Sequence, residues 1–161
     1  MDGGSFDESQ GRWNARSADL ASPGRRFGGF LIDALIIGTV NIILFVSQLD
    51  LDFESGNVPE VPMSLRLGTL AVTSLYMVAF VAWRGQTPGK MAVATKIVDA
   101  ETRVTPSVGQ AVIRWGVPGL LGLLPTAGLL VFVVYLWLTW DPNRQGLHDK
   151  AARTLVVNVA R

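Results

Sequence analysis

The chain has 161 residues, of which 49% are hydrophobic and 17% charged, with a mean hydropathy of +0.35. Soluble domains carry about 25% charged residues, so this balance, with the apolar residues gathered in long runs, excludes an ordinary soluble domain and describes one small integral membrane protein. A formal net charge of +1 without a basic tract leaves no footprint for nucleic acid, and the lack of cysteine excludes disulfides and thiolate metal sites.

Residues 1–22 are polar, rich in Gly and Ser, and mixed in charge, which predicts a disordered cytoplasmic tail. The acidic start MDGGSFDESQ does not resemble a signal peptide, so the first apolar span is expected to stay uncleaved. Ser22-Pro23 reads as a helix start, with Ser22 as N-cap and Pro23 at the first helical position. Arg25 and Arg26 then mark the membrane surface ahead of a span over about residues 26–47. Within it, FGGFLIDALIIGTVNIILFV holds a single charge, Asp33. Twenty helical residues cover about 30 Å, the thickness of a hydrocarbon core, and a carboxylate at its centre costs about 2.5–3.5 kcal/mol on insertion scales.

Residues 48–64 form an acidic loop without Lys or Arg, and a second span follows from about Leu65 to Trp83. Residues 84–114 are polar and basic, with Arg84, Lys90, Lys96, Arg103 and Arg114. The β-branched Met91–Val98 and Val104-Thr105, separated by a turn-like Ala100–Arg103, predict a short β-hairpin at the membrane surface, with an amphipathic helix over 86–96 as the competing reading. Thr154–Val159 is a further strand candidate beside it. Residues 111–140 carry one charge and two prolines, Pro118 and Pro125. They make either one long span or two short helices meeting near Pro125. Every basic segment falls on one side only with four crossings, which the positive-inside rule favours over three. The expected fold is therefore an all-α membrane protein of four, alternatively three, transmembrane helices with a short cytoplasmic β-hairpin or amphipathic segment. Its transmembrane domain occupies residues 23–158, its N-terminus is cytoplasmic, and it crosses the plasma membrane several times.

Arg26 and Asp33 lie seven residues apart, on one helix face but about 10.5 Å apart along the axis, too far for a direct pair. Asp33 must find a partner on another segment. Arg114 is the first candidate and Lys90 the second. Intramembrane carboxylates mark ion paths, so Asp33 is part of a proton or cation site, one half of a structural ion pair, or a protonated side chain that is merely tolerated. Gly85-Gln86-Thr87-Pro88-Gly89-Lys90 falls short of a P-loop, having three residues between its glycines and Met91 after the Lys, so no nucleotide is expected; it reads as a tight exit from span 2. His148-Asp149 lacks a nucleophile and further metal ligands and reads as a polar cap on the last helix, with Asp149 able to pair with a basic residue of 84–114. Trp83, Trp115, Tyr135, Trp137 and Trp140 read as an aromatic belt, and Gly24 with Gly28 as a small-residue pair permitting close helix contact.

Taken together and in order, three segments resemble the RDD family of small bacterial membrane proteins: Arg25-Arg26-Phe27 with Leu31-Ile32-Asp33; Gly85–Lys90 running through Ile97-Val98-Asp99 to Arg114; and Gln145-Gly146-Leu147-His148-Asp149-Lys150 with Thr154–Val157. The family name stands for one Arg and two Asp, carried here by Arg26 (or its neighbour Arg25), Asp33 and Asp149. The resemblance implies a bacterial cytoplasmic-membrane protein. It also implies a transport or proton/cation exchange role, one proposed for the family. A non-transporting scaffold or accessory subunit is the alternative. The charge network to examine is Arg26, Asp33, Lys90, Arg114 and Asp149. Neither catalysis, a metal nor a cofactor is expected. The expected partners are the bilayer and either a second copy or another membrane protein.

Overall fold

The computed structural model describes residues 6–7, 12–13, 19–46, 62–121 and 133–159. The acidic loop and the region around Pro125 fall outside these residues, and with them the choice between three and four crossings.

Phe6–Asp7 (β1) and Arg12–Trp13 (β2) pair as a minimal antiparallel ladder. The long helix Pro23–Val46 (α1) begins where expected: Ser22 Oγ accepts the Arg25 N–H at 3.3 Å, and Pro23 takes the first position. A second long helix, Met63–Arg84 (α2), stops at Gly85, whose φ of +68° suits the left-handed C-cap and whose N–H reaches the Val81 carbonyl. Both are long and apolar enough to cross a membrane, with mean hydropathies of 2.3 and 1.6 over their best windows. Their outer faces, including Leu35, Ile42, Ile43 and Leu75, are exposed apolar surface of the kind lipid covers.

A short helix, Pro88–Ala92 (α3), follows the exit from α2 and leads into the strand Thr95–Asp99 (β3). The predicted hairpin with Val104-Thr105 does not form. β3 pairs antiparallel with Thr154–Asn158 (β4), Ile97 opposite Val156, so the C-terminal strand candidate is the true partner. Residues 100–107 instead turn into the helix Val108–Leu121 (α4), opened by a capping box in which Ser107 and Gln110 exchange hydrogen bonds. A further helical stretch covers residues 133–136 and ends in a 3-10 turn, Trp137–Thr139. The short helix Leu147–Ala151 (α5) then feeds β4.

The tail also ends earlier than expected. Leu20 bridges to Val157, the Ala21 N–H donates to the Val156 carbonyl, and Leu20 and Ala21 are buried. The core of Ala21, Val81, Ile97, Ala111 and Val156 therefore sits where the small sheet meets α2 and α4, at one end of the long helices.

The sheet carries an internal duplication. Gln86–Val98 and Gln145–Val157 each run as a glutamine, a five-residue helix, a left-handed residue (Ala94 or Arg153) and a strand. In each, the glutamine amide donates at 2.9 Å to the carbonyl of the first strand residue, Thr95 or Thr154. In each, that threonine's hydroxyl donates at 3.4 Å to the carbonyl of the third helical residue, Lys90 or Asp149. The equivalent residues Ile97 and Val156 face each other across the ladder, so a local two-fold relates the units.

Candidate functional site

The two duplicated units hold α1 by its two charges. Asp33 is 1% exposed and accepts three hydrogen bonds: from the Gly89 N–H at 2.8 Å and Tyr76 hydroxyl at 2.9 Å to Oδ1, and from the Thr87 hydroxyl at 2.5 Å to Oδ2. Lys90 Nζ stands 3.8 Å from Oδ2, an ion pair longer than a hydrogen bond. The local cause is the Gly85–Lys90 turn. Thr87 caps α3 by accepting the Lys90 N–H, and Pro88 occupies its first position, so the hydroxyl and the next amide point together at the carboxylate. The backbones meet at Gly89, where an added Cβ would lie 2.1 Å from the Gly29 carbonyl oxygen. The close contact of α1 is thus made by Gly29; Gly28 keeps an ordinary 3.5 Å to Val93 and Gly24 has nothing within 4 Å, which corrects the expected Gly24/Gly28 pair.

The second unit places Asp149 where the first has Lys90, and inverts the charge. Asp149 is fully buried; its Oδ2 accepts from Arg26 at 2.9 Å and from the Gly146 N–H at 3.0 Å, and its Oδ1 pairs with Arg114. Arg114 also donates to the Thr154 hydroxyl at 2.9 Å. The preferred pairing of Asp33 with Arg114 is therefore replaced: Lys90 serves Asp33, and Arg114 joins Arg26 on Asp149. Seven residues on α1 separate Arg26 from Asp33, which lets the helix present one charge to each unit.

His148 is more than a polar cap. It is 5% exposed, its Nε2 lies 3.3 Å from Asp149 Oδ1, and its ring packs tilted against that of Tyr135, 4.7 Å between centroids. Burial first, then the positive Arg114, Lys90 and Arg26, push its pKa well below the ordinary histidine value, so it is neutral at pH 7. Burial likewise lowers the Lys90 ammonium to about 8, with Arg114 and Arg26 adding to the effect against Asp33. The residues assigned to an aromatic belt fall into two kinds. Trp83 and Trp140 are exposed, whereas Trp115 donates its indole N–H to Ser74 at 2.7 Å and ties α4 to α2.

Sequence reasoning reached the five charged residues but missed Tyr76, Thr87, Gly89 and Tyr135. Thr87-Pro88 is a legible cap signal, and a tyrosine inside an apolar span needs a polar partner; neither says which carboxylate it serves. Between the charges lies a cavity of about 510 Å³ lined by Arg26, Asp33, Lys90, Arg114, Tyr135 and His148 at its polar end. Among the described residues no cluster of three or more His, Asp or Glu could hold a metal.

A membrane-length helix locked by its two buried charges to a small α/β layer, beside a second membrane-length helix, is the architecture of a membrane protein. The model of the RDD family matches residues 20–153, and the chain belongs to that family. No curated protein and no solved structure matches it.

Proposed function

We propose that the chain is a non-transporting scaffold or accessory subunit of the cytoplasmic membrane, whose α/β layer offers a surface to a membrane-protein partner. The observation that carries this reading is the saturation of Asp33. Three hydrogen bonds and Lys90 occupy its two oxygens, and only 1% of the residue is exposed. A carboxylate that carries a proton or cation needs free lone pairs and water; one held this way joins helices. Lys90, Arg114, Arg144 and Lys150 belong to the layer beside the N-terminus of α1, which supports a cytoplasmic placement of that end by the positive-inside rule.

An exchange role is the second reading, favoured by the cavity that Asp33 and Lys90 share. Asp33→Asn decides between them. In vesicles containing the purified chain and a pH-sensitive dye, the scaffold reading expects no proton-coupled cation flux from wild type or variant, and a lower melting temperature for the variant. Flux that is present in wild type and lost in a folded Asp33→Asn protein would overturn it. A topology reporter fused after Arg161 tests the orientation; a signal from outside the cell refutes an even number of crossings.

A further inference from the structure

The cavity between α1, α2, α4 and residues 135–139 has two unlike ends. One is lined by Phe27, Phe30, Met77, Val81 and Trp115, and its lining is overwhelmingly apolar; the other holds Arg26, Lys90 and Arg114. Three cations there face two carboxylates, Asp33 and Asp149, leaving one positive charge in excess inside a region of low dielectric. Lys90 is the more loosely held cation: its ion pair with Asp33 is 3.8 Å long, and the short hydrogen bonds to that carboxylate come from Thr87, Gly89 and Tyr76. The Arg26 Nε is buried without a hydrogen-bond partner, on a side chain 9% exposed that lines the same space. Phe27 and Phe30 are exposed on the outer surface of a membrane-length helix, so the apolar end opens toward lipid. At 510 Å³ the space falls within the range of small-molecule sites.

We propose that this cavity binds a single-chain anionic amphiphile, a fatty-acid-like molecule, with its acidic head at Lys90, Arg26 and Arg114 and its chain along Phe30, Met77 and Trp115. The head supplies the missing negative charge and accepts from the donors left over by the two carboxylates. The chain covers apolar wall that water wets poorly. The mouth toward lipid admits the ligand from the bilayer, so no aqueous entry is required. The site shares Lys90 with the Asp33 contact on which the scaffold reading rests, yet the two fail separately: Met77→Trp probes the cavity and Asp33→Asn the scaffold.

The test uses the full chain in detergent, with fluorescent cis-parinaric acid as probe and palmitate, methyl palmitate, inorganic phosphate and phosphatidylglycerol as competitors. Palmitate should displace the probe at least tenfold more effectively than its uncharged methyl ester. Lys90→Gln should weaken palmitate at least tenfold and leave the ester unaffected. Met77→Trp, which fills the apolar end without touching the charges, should abolish probe binding while the melting temperature stays near wild type; this keeps the proposal testable if Lys90→Gln fails to fold. Equal competition by acid and ester, or probe binding unchanged in Met77→Trp, overturns the site. Displacement by phosphate alone shows that the chain is not recognised. Preferential displacement by phosphatidylglycerol reassigns the site to a two-chain lipid. Either result refutes the proposal as stated.

Discussion

Gly89→Ala gives the sharpest test of how the first unit is held to α1. The added Cβ would sit 2.1 Å from the Gly29 carbonyl oxygen and 2.7 Å from Asp33 Cγ. The first of these obstacles is helix backbone and the second a carboxylate fixed by three donors, so neither can swing aside. α3 must retreat from α1. The retreat breaks the 2.8 Å bond from the Gly89 N–H to Asp33 and leaves a buried carboxylate short of a donor. Overpacking costs about 1–3 kcal/mol and a lost hydrogen bond to a charged group about 1.5–3, so a destabilisation of about 3–5 kcal/mol is expected. Gly29→Ala should cost less, because its Cβ would meet Val93 at 3.1 Å and the Gly89 carbonyl at 3.3 Å. Gly28→Ala should be neutral or more stable by up to about 1 kcal/mol, since its Cβ makes only ordinary contact and alanine is the better helix former. Equilibrium unfolding of the three variants in mixed micelles, followed by far-ultraviolet circular dichroism, measures the order. A Gly89→Ala protein within about 0.5 kcal/mol of wild type, the range of ordinary surface substitutions, refutes the close-contact argument, as does a Gly28→Ala protein that is the weakest of the series.

The buried Asp149 cluster should respond cooperatively. Asp149→Asn strands both Arg26 and Arg114 and is expected to cost about 3–5 kcal/mol; Arg26→Gln leaves Asp149 paired with Arg114 and should cost less, and the double variant less than their sum; strict additivity in a double-mutant cycle would show that the pair is not formed. Thr87→Val removes both the cap of α3 and a donor to Asp33 and should cost about 2–4 kcal/mol, with Thr87→Ser near wild type. An equal loss in both variants would point to the methyl group instead. Stability should also fall with acid. Folded His148 stays neutral while the unfolded chain takes up its proton, so its contribution is complete above about pH 6.5 and declines below it. Asp99, where burial is outweighed by hydrogen bonds from Thr102, Gln110 and Glu101, lies below its ordinary value and adds a further loss below about pH 4. His148→Gln should flatten the melting-temperature slope between pH 5 and about 6.5, the unperturbed histidine pKa; an unaltered slope would mean that His148 is charged in the fold.

Local signals carry much of this protein. The apolar runs dictate two membrane-length helices, because about twenty predominantly apolar helical residues match the hydrocarbon thickness of a bilayer. Ser22-Pro23 sets the start of α1, since capping depends on neighbours a few residues away. The order of Arg26, Asp33, Gly85–Lys90 and Asp149 suffices to place the chain in its family. The strand partner was not legible: Thr95–Asp99 pairs with residues more than fifty positions away, and the nearby Val104-Thr105 offers an equally apolar alternative. Nor was the duplication, whose two copies share a fold and a pair of threonines but carry Lys90 in one and Asp149 in the other. Which cation serves which carboxylate is likewise a tertiary fact. Arg114 and Lys90 are equally basic in the sequence. The approach of Gly89 to Gly29 brings Lys90 beside Asp33, and the β4 register brings Asp149 between Arg26 and Arg114. The sequence by itself determined which residues must be buried as charges. Only the packed structure, where separations of a few ångströms in a low dielectric decide the pairing, determined how Asp33 and Asp149 are satisfied.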